Sequence, residues 1–369
     1  MTASVLGRAA RGLVPGRRFA ADALALLAAA SLPLAAQDSA AKEKKPYNPP
    51  PMFSDSKPIE FTVTGPISKI RKERTGTATY FPATVSYKGD AGEVTVPVRI
   101  RARGIWRRKN CEIPPLLMNF TKDSTKGTQF ARLDVARLTF PCKFTSEYEQ
   151  YVLQEFNLYR AQRVVTPYSF DVRLAKVTYV DPEKKDTFGP YYAFLSEQDD
   201  VFAERNGATL VTQQGAGPGD LHSYENALFG VWQYFVANAD YSVRALHNVV
   251  LITKDGEYIP AARDFDFGGA VNTRYANPPP QLGIKRVTDR IMRGYCEPAE
   301  QYQKVFQLFR DKKDAIYALY KDELMAPAMK EDVVKRTYDY FDEFYDIIND
   351  PRRADRNIIK ACLGGSNAR

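Results

Sequence analysis

Apolar and polar residues alternate along several short segments in the first half of the chain. In residues 93–103 valine and isoleucine occupy one set of alternate positions, and threonine and arginine occupy most of the other. Because successive side chains of a β-strand point to opposite faces, this alternation predicts a strand with one buried face. Shorter apolar runs predict further strands from residue 59 onward and at residues 116–120, 169–180 and 191–195.

Helical spacing of apolar residues is concentrated in the second half. Residues 223–237 form an almost continuously apolar segment, as expected for a buried helix, and residues 301–324 and 330–348 carry aromatic stripes. In the first half, residues 147–163 also show helical periodicity. Asp255 and Gly256 separate two apolar runs, which predicts a β-hairpin.

The order of these elements indicates the fold class. Strands come first and helices later, which is typical of an α+β protein. We therefore expect a strand-rich N-terminal lobe at residues 59–200 and a mainly helical C-terminal lobe at residues 201–369.

The first 58 residues contain no core pattern. Residues 1–36 carry four arginines, then an Ala/Leu run and small residues suited to cleavage, which is typical of a signal peptide. Residues 37–58 are rich in Lys and Pro and are predicted to be a linker. The apolar run is shorter than the ~20 residues that span a membrane, and no later segment is apolar enough. We therefore expect an exported protein, periplasmic or extracellular, without stable membrane insertion.

Composition and charge narrow the function further. The 369 residues include 52 Lys+Arg and 44 Asp+Glu, for a net charge of +8. Removing residues 1–36 takes away four Arg and one Asp, which leaves +5. Six basic residues between 99 and 109 indicate either a local anion site or a charged strand edge that resists aggregation. Export argues against a nucleic-acid partner, and only two histidines exclude a histidine-rich zinc site.

Export would place the four cysteines in an oxidising compartment, where disulfides form. An even number of cysteines in an oxidising compartment predicts two disulfides, for which three pairings are possible. Their order along the chain favours Cys111–Cys142 and Cys296–Cys362.

Oxygen-bearing side chains are concentrated around the predicted hairpin. Asp240 follows the apolar helix, Asn248 precedes the hairpin, and Asp264 and Asp266 follow it. The hairpin would fold these residues together, and such oxygen ligands suit Mg²⁺ or Mn²⁺. The alternative is that Asp264 and Asp266 are turn residues or salt-bridge partners of Arg263 and Arg274.

Glu155 lies on the apolar stripe of the helix predicted at residues 147–163. A buried carboxylate needs a cationic partner, because an unpaired buried charge is costly. Arg103 is the first candidate for this partner, with Lys109 and Lys143 as further candidates. The alternative is a glutamate at the edge of the stripe that reaches solvent.

Several segments, taken in order, resemble the secreted atypical protein kinases of the spore coat protein H (CotH-like) family. Residues 100–104 are similar to the family's RG-containing strand, and residues 147–163 to its first-lobe helix. Residues 189–197 are similar to the strand that ends in Glu, here Glu197. Asp240, Asn248 and the Asp264-Phe265-Asp266 triplet follow in the family's order. The resemblance covers roughly residues 90–275, and it implies a bilobal atypical protein-kinase-like fold.

The resemblance also implies a role for each of these residues. Asp240 would orient or deprotonate an acceptor hydroxyl, and Asn248 and Asp264, with Asp266, would hold Mg²⁺ or Mn²⁺ on ATP. Arg103, Glu155 and Glu197 would bind the nucleotide. The expected reaction transfers the γ-phosphate of ATP to a protein Ser or Thr in the same exported compartment.

One departure from the family keeps other functions open. The strand after the RG motif usually begins with Lys in the family, but residues 111–120 contain none. The alternative is therefore a non-catalytic, pseudokinase-like binding or structural protein of the envelope. A third hypothesis is a metal-dependent hydrolase that uses the same carboxylates.

Overall fold

Seven strands close into a β-barrel in the first part of the described chain. The computed structural model describes residues 47–364. The strand order around the barrel is β1-β2-β3-β4-β5-β7-β6, and β6 pairs with β1 to close it. The β1–β6 pairing is parallel, whereas the other neighbours are antiparallel. The strands are β1 (Ile59–Thr64), β2 (Phe81–Gly89), β3 (Gly92–Ala102), β4 (Leu116–Phe120), β5 (Val135–Thr139), β6 (Val172–Asp181) and β7 (Asp186–Ser196).

This closed barrel shows that the predicted fold class, a bilobal atypical protein-kinase-like α+β fold, is wrong. Such a fold requires an N-terminal lobe built on a sheet with free edges. Here the first strand pairs with the sixth along its whole length, from Ile59 beside Ala175 to Thr64 beside Val180. Alternation along one strand predicts which face is buried, but it does not identify the strand that pairs with it at the sheet edge.

The barrel interior confirms the strand predictions themselves. Val96, Val98, Ile100 and Ala102 of β3 are buried, and Arg99 between them is exposed. They belong to one hydrophobic cluster with inward-facing residues of the other six strands. Burying apolar surface stabilises a fold by about 25 cal/mol per Å², so this interior is the main source of the barrel's stability.

A second hydrophobic cluster forms around the longer helices. The helix from Ser223 to Val236 has eleven buried residues in fourteen, and aromatic side chains from the two C-terminal helices pack on it. The long helices are α4 (Ser146–Val165), α6 (Ser223–Val236), α7 (Ala299–Ala318) and α8 (Glu331–Asn349); the short ones are α1 (Pro51–Ser54), α2 (Ile67–Lys72), α3 (Trp106–Asn110), α5 (Asp199–Arg205) and α9 (Pro351–Ala354). The four predicted helices are therefore confirmed, although α7 ends at Ala318 rather than at residue 324.

The predicted hairpin is also confirmed. Strand β9 (Val249–Lys254) turns at Asp255-Gly256 into β10 (Glu257–Ala262), and β8 (Thr209–Val211) completes a small three-stranded sheet in the order β10-β9-β8. Asp255 and Gly256 both have positive φ, as a tight hairpin turn requires.

Both predicted disulfides are confirmed. Cys111 pairs with Cys142, and Cys296 pairs with Cys362, which leaves no free cysteine. Within residues 47–364, no helix combines the length and the apolar character that a membrane crossing requires.

The N-terminal predictions fall partly outside the described residues. The predicted signal peptide, residues 1–36, and residues 37–46 of the predicted linker lie outside them. The remainder of the predicted linker contacts the barrel. Met52 of α1 is fully buried in the barrel cluster, and Arg173 of β6 donates to the Lys57 carbonyl at 2.9 Å and pairs with Asp55 at 3.0 Å.

Candidate functional site

A cavity of about 200 Å³ brings together residues from both parts of the described chain. Its polar wall contains three arginines and two carboxylates. We call it the arginine cavity. Its apolar wall contains three aromatic rings. The lining residues are Arg103, Gly104, Arg137, Thr139, Glu155, Tyr159, Phe170, Phe194, Ser196, Asn248, Arg263 and Asp264.

Arg103 lacks a carboxylate partner within the described residues. It follows β3 directly, and its Nη2 donates to the Thr139 hydroxyl at 2.8 Å. Its Nε is enclosed and has no hydrogen-bond partner. Burial lowers the pKa of Arg103 to about 10, although the charge of Asp264 opposes this shift. Arg103 is therefore a cation at neutral pH, with one donor left unsatisfied.

The other two arginines of the cavity share one carboxylate. Asp199, the first residue of α5, accepts from Arg137 at 2.8 Å and from Arg263 at 2.7 Å. Burial would raise the pKa of Asp199, but the two guanidinium groups outweigh burial and lower it. These arginines are thus held in place, and their positive charge is only partly compensated.

Replacing Asp199 should therefore reveal a pH-dependent contribution to stability. Because its pKa is lowered on folding, the contribution is complete above the ordinary Asp value of 3.8 and disappears as pH falls through the lower folded value. We expect Asp199→Asn to reduce the free energy of unfolding by about 2–3 kcal/mol at neutral pH. Urea unfolding at pH 7 and pH 3 measures this difference, with the exposed Asp123→Asn as control. A loss of equal size at both pH values would contradict the expectation.

A buried network next to the cavity surrounds Arg107. Its Nη2 contacts Glu155 Oε2 at 2.7 Å and Asp266 Oδ2 at 2.8 Å, and the Tyr275 hydroxyl donates to Asp266 at 3.0 Å. Burial, with the neighbouring carboxylates Asp264 and Glu155, raises the pKa of Asp266 to about 8. Burial also raises the pKa of Glu155. Two of the predicted ligand-binding carboxylates are therefore already occupied by one guanidinium.

Arg107, rather than the candidate Arg103, is thus the hydrogen-bonded partner of Glu155. The predictions that Glu155 is buried and needs a cation are confirmed, and the alternative of a solvent-facing Glu155 is wrong. Arg107 belongs to the basic run at residues 99–109, but it was not singled out. The only feature of the sequence that could have identified Arg107 is its position directly after Trp106 in that run. This feature is too weak to distinguish Arg107 from Arg108.

Asp264 is the carboxylate that stays available to the cavity. It adopts a left-handed backbone conformation with φ 61°, and its N–H donates to the Tyr159 hydroxyl at 2.8 Å. Burial opposes ionisation, but Arg107 and Arg103 outweigh burial and lower the pKa of Asp264. Oxygens of Glu155, Asp264 and Asp266 lie within 4.8 Å of one another. The alternative prediction, that Asp264 and Asp266 form salt bridges with Arg263 and Arg274, is wrong. Arg263 pairs with Asp199, and Arg274 pairs with Glu147.

Asn248 connects the arginine cavity to Asp240. Its Nδ2 donates to the Asp240 carbonyl at 2.8 Å and to Asp240 Oδ2 at 3.3 Å. His247 Nε2 lies 3.0 Å from Asp240 Oδ1. Asp240 itself lines a separate hollow of about 120 Å³, and its side chain is 38% exposed. The structure therefore places Asp240, Asn248 and Asp264 in sequence from an accessible surface to the cavity.

Glu197 lies outside the cavity. It is fully buried, pairs with Arg205 Nη2 at 2.6 Å and accepts the Asp171 N–H at 2.8 Å. These contacts connect the end of β7 to α5. Its neighbours Phe194 and Ser196 line the cavity instead.

Neither the protein-family models nor the curated proteins match this sequence.

Proposed function

We propose that the arginine cavity binds the phosphate groups of ATP together with Mg²⁺ or Mn²⁺, and that the protein is an exported phosphotransferase acting on a protein Ser or Thr hydroxyl. The observation that carries this proposal is Arg103, a partly buried guanidinium with an enclosed, unsatisfied Nε and no carboxylate partner among the described residues. A desolvated donor on such a cation is costly until an acceptor completes it, and an anion is the acceptor that also matches the charge. The proposal rests on the cavity and not on the fold.

The chemistry of the cavity fits a phosphate group. Arg103, Arg137 and Arg263 line the cavity with planar donors, and guanidinium groups bind phosphate oxygens through paired hydrogen bonds. A volume of about 200 Å³ is below the roughly 300 Å³ at which whole-ligand sites begin. It therefore suits the phosphate chain, with Phe170 and Phe194 lining the apolar side.

Asp264 and Asn248 are the residues suited to a divalent cation. Asp264 is ionised, and the Oδ1 of Asn248 accepts no hydrogen bond from a described residue. Mg²⁺ prefers one or two protein oxygens and keeps its remaining positions for water and phosphate. A bound cation would neutralise charge on the phosphates. Glu155 and Asp266 would hold Arg107 in place rather than contact the ion.

Asp240 would receive the acceptor's proton. In the proposed reaction the hydroxyl oxygen forms a bond to the γ-phosphorus, and the bond from that phosphorus to the β–γ bridging oxygen breaks. ADP leaves, and the hydroxyl proton passes to Asp240. His247 and Asn248 orient the Asp240 carboxylate. Its partial exposure leaves room for an acceptor side chain.

A second function, non-catalytic anion binding, is favoured by one observation. Among the residues that the structure describes, arginines line the cavity and no lysine does, whereas a lysine is the usual phosphate-positioning residue of protein kinases. Under this alternative Asp264 and Arg103 would still bind nucleotide, and Asp240 would have no role.

Nucleotide titration and a transfer assay together test the proposal. We expect the purified protein to bind ATP with Mn²⁺ in isothermal titration calorimetry and to transfer labelled phosphate to proteins of the same compartment. Arg103→Gln should weaken ATP binding by about 10–100-fold, because one charged hydrogen-bond donor to phosphate is lost. Asp264→Asn should abolish the Mn²⁺ dependence, whereas Asp255→Asn in the hairpin turn should change neither. Absence of ATP binding would refute the proposal, and binding without transfer would favour the second function.

A further inference from the structure

The basic residues at positions 99–109 separate into two groups in the structure. Arg103 lines the arginine cavity, and Arg107 is buried between Glu155 and Asp266. The remaining four are exposed or partly exposed at the surface: Arg99, Arg101, Arg108 and Lys109. The proposed phosphotransfer gives these four residues no role.

Hydrogen bonds hold Arg74 against the short helix α3. The Nη1 of Arg74 donates to the carbonyls of Arg108 and Cys111 at 3.0 and 2.5 Å. The Nε of Arg108 donates in return to the Glu73 carbonyl at 3.1 Å. The loop after α2 and the end of α3 therefore bring Arg74 close to Arg108 and Lys109.

Tyr80 extends this basic surface onto β3. The Thr79 N–H donates to the Glu73 carboxylate at 3.0 Å, which ties the segment before β2 to the same loop. The guanidinium carbons of Arg99 and Arg101 lie 5.3 and 4.8 Å from the centre of the Tyr80 ring, within the range of a cation–π contact. We call the following five residues the basic face: Arg74, Arg99, Arg101, Arg108 and Lys109.

No carboxylate among the described residues forms an ion pair with the basic face. Arg74 and Arg108 donate to backbone carbonyls. Arg99 donates to the side-chain oxygen of Asn119 at 2.9 Å. These acceptors satisfy the donors but carry no formal charge, and Glu73 uses its carboxylate on a backbone N–H instead. The basic face is thus a local concentration of positive charge, which attracts anions.

Ile105 is the most exposed large apolar side chain of the described residues, at 77%. It precedes α3 in a helical backbone conformation, so Arg108 and Lys109, three and four positions later, share its side of the helix. Arg107, two positions after Ile105, is buried on the other side. A single exposed isoleucine is common on protein surfaces. Beside uncompensated cations, however, it gives this surface a second, apolar property.

An anionic phospholipid surface matches both properties. Its headgroups are negatively charged, and its interfacial region accepts apolar side chains. A hydrated anionic polymer would match the cations but would leave Ile105 in water. A protein interface requires about 800 Å² from each partner and an apolar centre. On this surface Ile105 is the one large apolar side chain that is exposed among the described residues, which is too little for such a centre.

We propose that the basic face adsorbs to an anionic phospholipid membrane, with Ile105 entering the interfacial region and the five cations facing lipid phosphates. One aliphatic side chain buries little apolar area, so the adsorption is reversible and depends on charge. This interaction is independent of the proposed phosphotransfer, since none of the five cations lines the arginine cavity.

Vesicle co-sedimentation tests the proposal. We expect the purified protein to sediment with vesicles of equal parts phosphatidylglycerol and phosphatidylcholine at about 0.1 M salt. Vesicles of phosphatidylcholine alone should bind about tenfold less, and about 1 M salt should release the protein. Glycerol 3-phosphate should not displace it, because a free headgroup offers no interfacial region to Ile105.

Two substitutions at exposed positions assign the binding to the basic face. Ile105→Ser should weaken binding about tenfold through lost apolar burial, and Lys109→Gln about fivefold through lost charge. The matched controls are Leu363→Ser, at another exposed large apolar residue, and Lys312→Gln, at an exposed lysine of α7. All variants share the same residues 1–46, so differences between them report the substituted surface.

The proposal is overturned if neither vesicle type binds, if phosphatidylcholine alone binds as tightly, or if Lys109→Gln binds like Lys312→Gln. Displacement by glycerol 3-phosphate, or an Ile105→Ser variant that binds like Leu363→Ser, would indicate a site for phosphate charge alone, and either result also overturns the membrane proposal.

Discussion

Replacing Arg107 by Met should destabilise the protein by about 3–5 kcal/mol. The guanidinium is buried between Glu155 and Asp266, and its removal leaves two carboxyl groups without their cation. Part of the cost is avoided by protonation, since burial already raises the pKa of both groups. The free energy of unfolding in urea, followed by circular dichroism, measures the effect.

A triple variant separates charge from packing in this result. Arg107→Met with Glu155→Gln and Asp266→Asn removes the uncompensated charges, so it should recover a large part of the lost stability. Arg99→Met, on the exposed face of β3, is the matched control and should stay within about 0.5 kcal/mol of the native protein. If the single Arg107→Met variant is as stable as this control, the ion pairs of Arg107 with Glu155 and Asp266 do not stabilise the fold.

Replacing Asp240 by Asn should reduce phosphate transfer by about 10²–10⁴-fold while ATP affinity changes little. Asp240 lies outside the arginine cavity and faces a separate hollow, so the proposed binding of ATP in the cavity would not require its charge. The proton of the acceptor hydroxyl, by contrast, would lose its receiving group. Single-turnover transfer and calorimetric titration of the same preparation measure the two quantities.

The control for this variant is Asp255→Asn, which makes the same chemical change in the exposed turn between β9 and β10. It should leave both transfer and binding unchanged. If Asp240→Asn transfers phosphate at the native rate, Asp240 has no role in catalysis. If it loses ATP binding as well, Asp240 contributes to the nucleotide site and the division between the two hollows is wrong.

The candidate site was predictable only where a local pattern carried it. The hairpin at Asp255-Gly256 brings Asn248 near the residues that follow β10, and the structure places Asn248 and Asp264 in one cavity. Glu155 was identified by its position on the apolar stripe of α4. Arg137 and Arg263 were not predicted to act together, because they meet only through Asp199, which is more than sixty positions from Arg137 along the chain.

The sequence by itself determined the elements whose signals are local. Alternation identified β3, a short apolar run identified β4, and continuous apolar character identified α6. The Asp-Gly turn identified the β9–β10 hairpin, and cysteine order indicated both disulfides. These features depend on backbone geometry over a few residues or on the count of one residue type.

Only the tertiary structure decided the closure of the barrel and the partner of Glu155. The parallel pairing of β1 with β6 joins segments that are more than a hundred residues apart in the chain. Its register depends on contacts between these distant segments, and no local pattern in the sequence encodes them. Arg103 and Arg107 are close in the chain, and the turn at Gly104 and the start of α3 lie between them. Gly104, with φ 82°, and α3 direct Arg107 into the buried network and leave Arg103 at the cavity. Side-chain direction after such a turn depends on what packs around it, which is why residue type alone could not distinguish the two arginines.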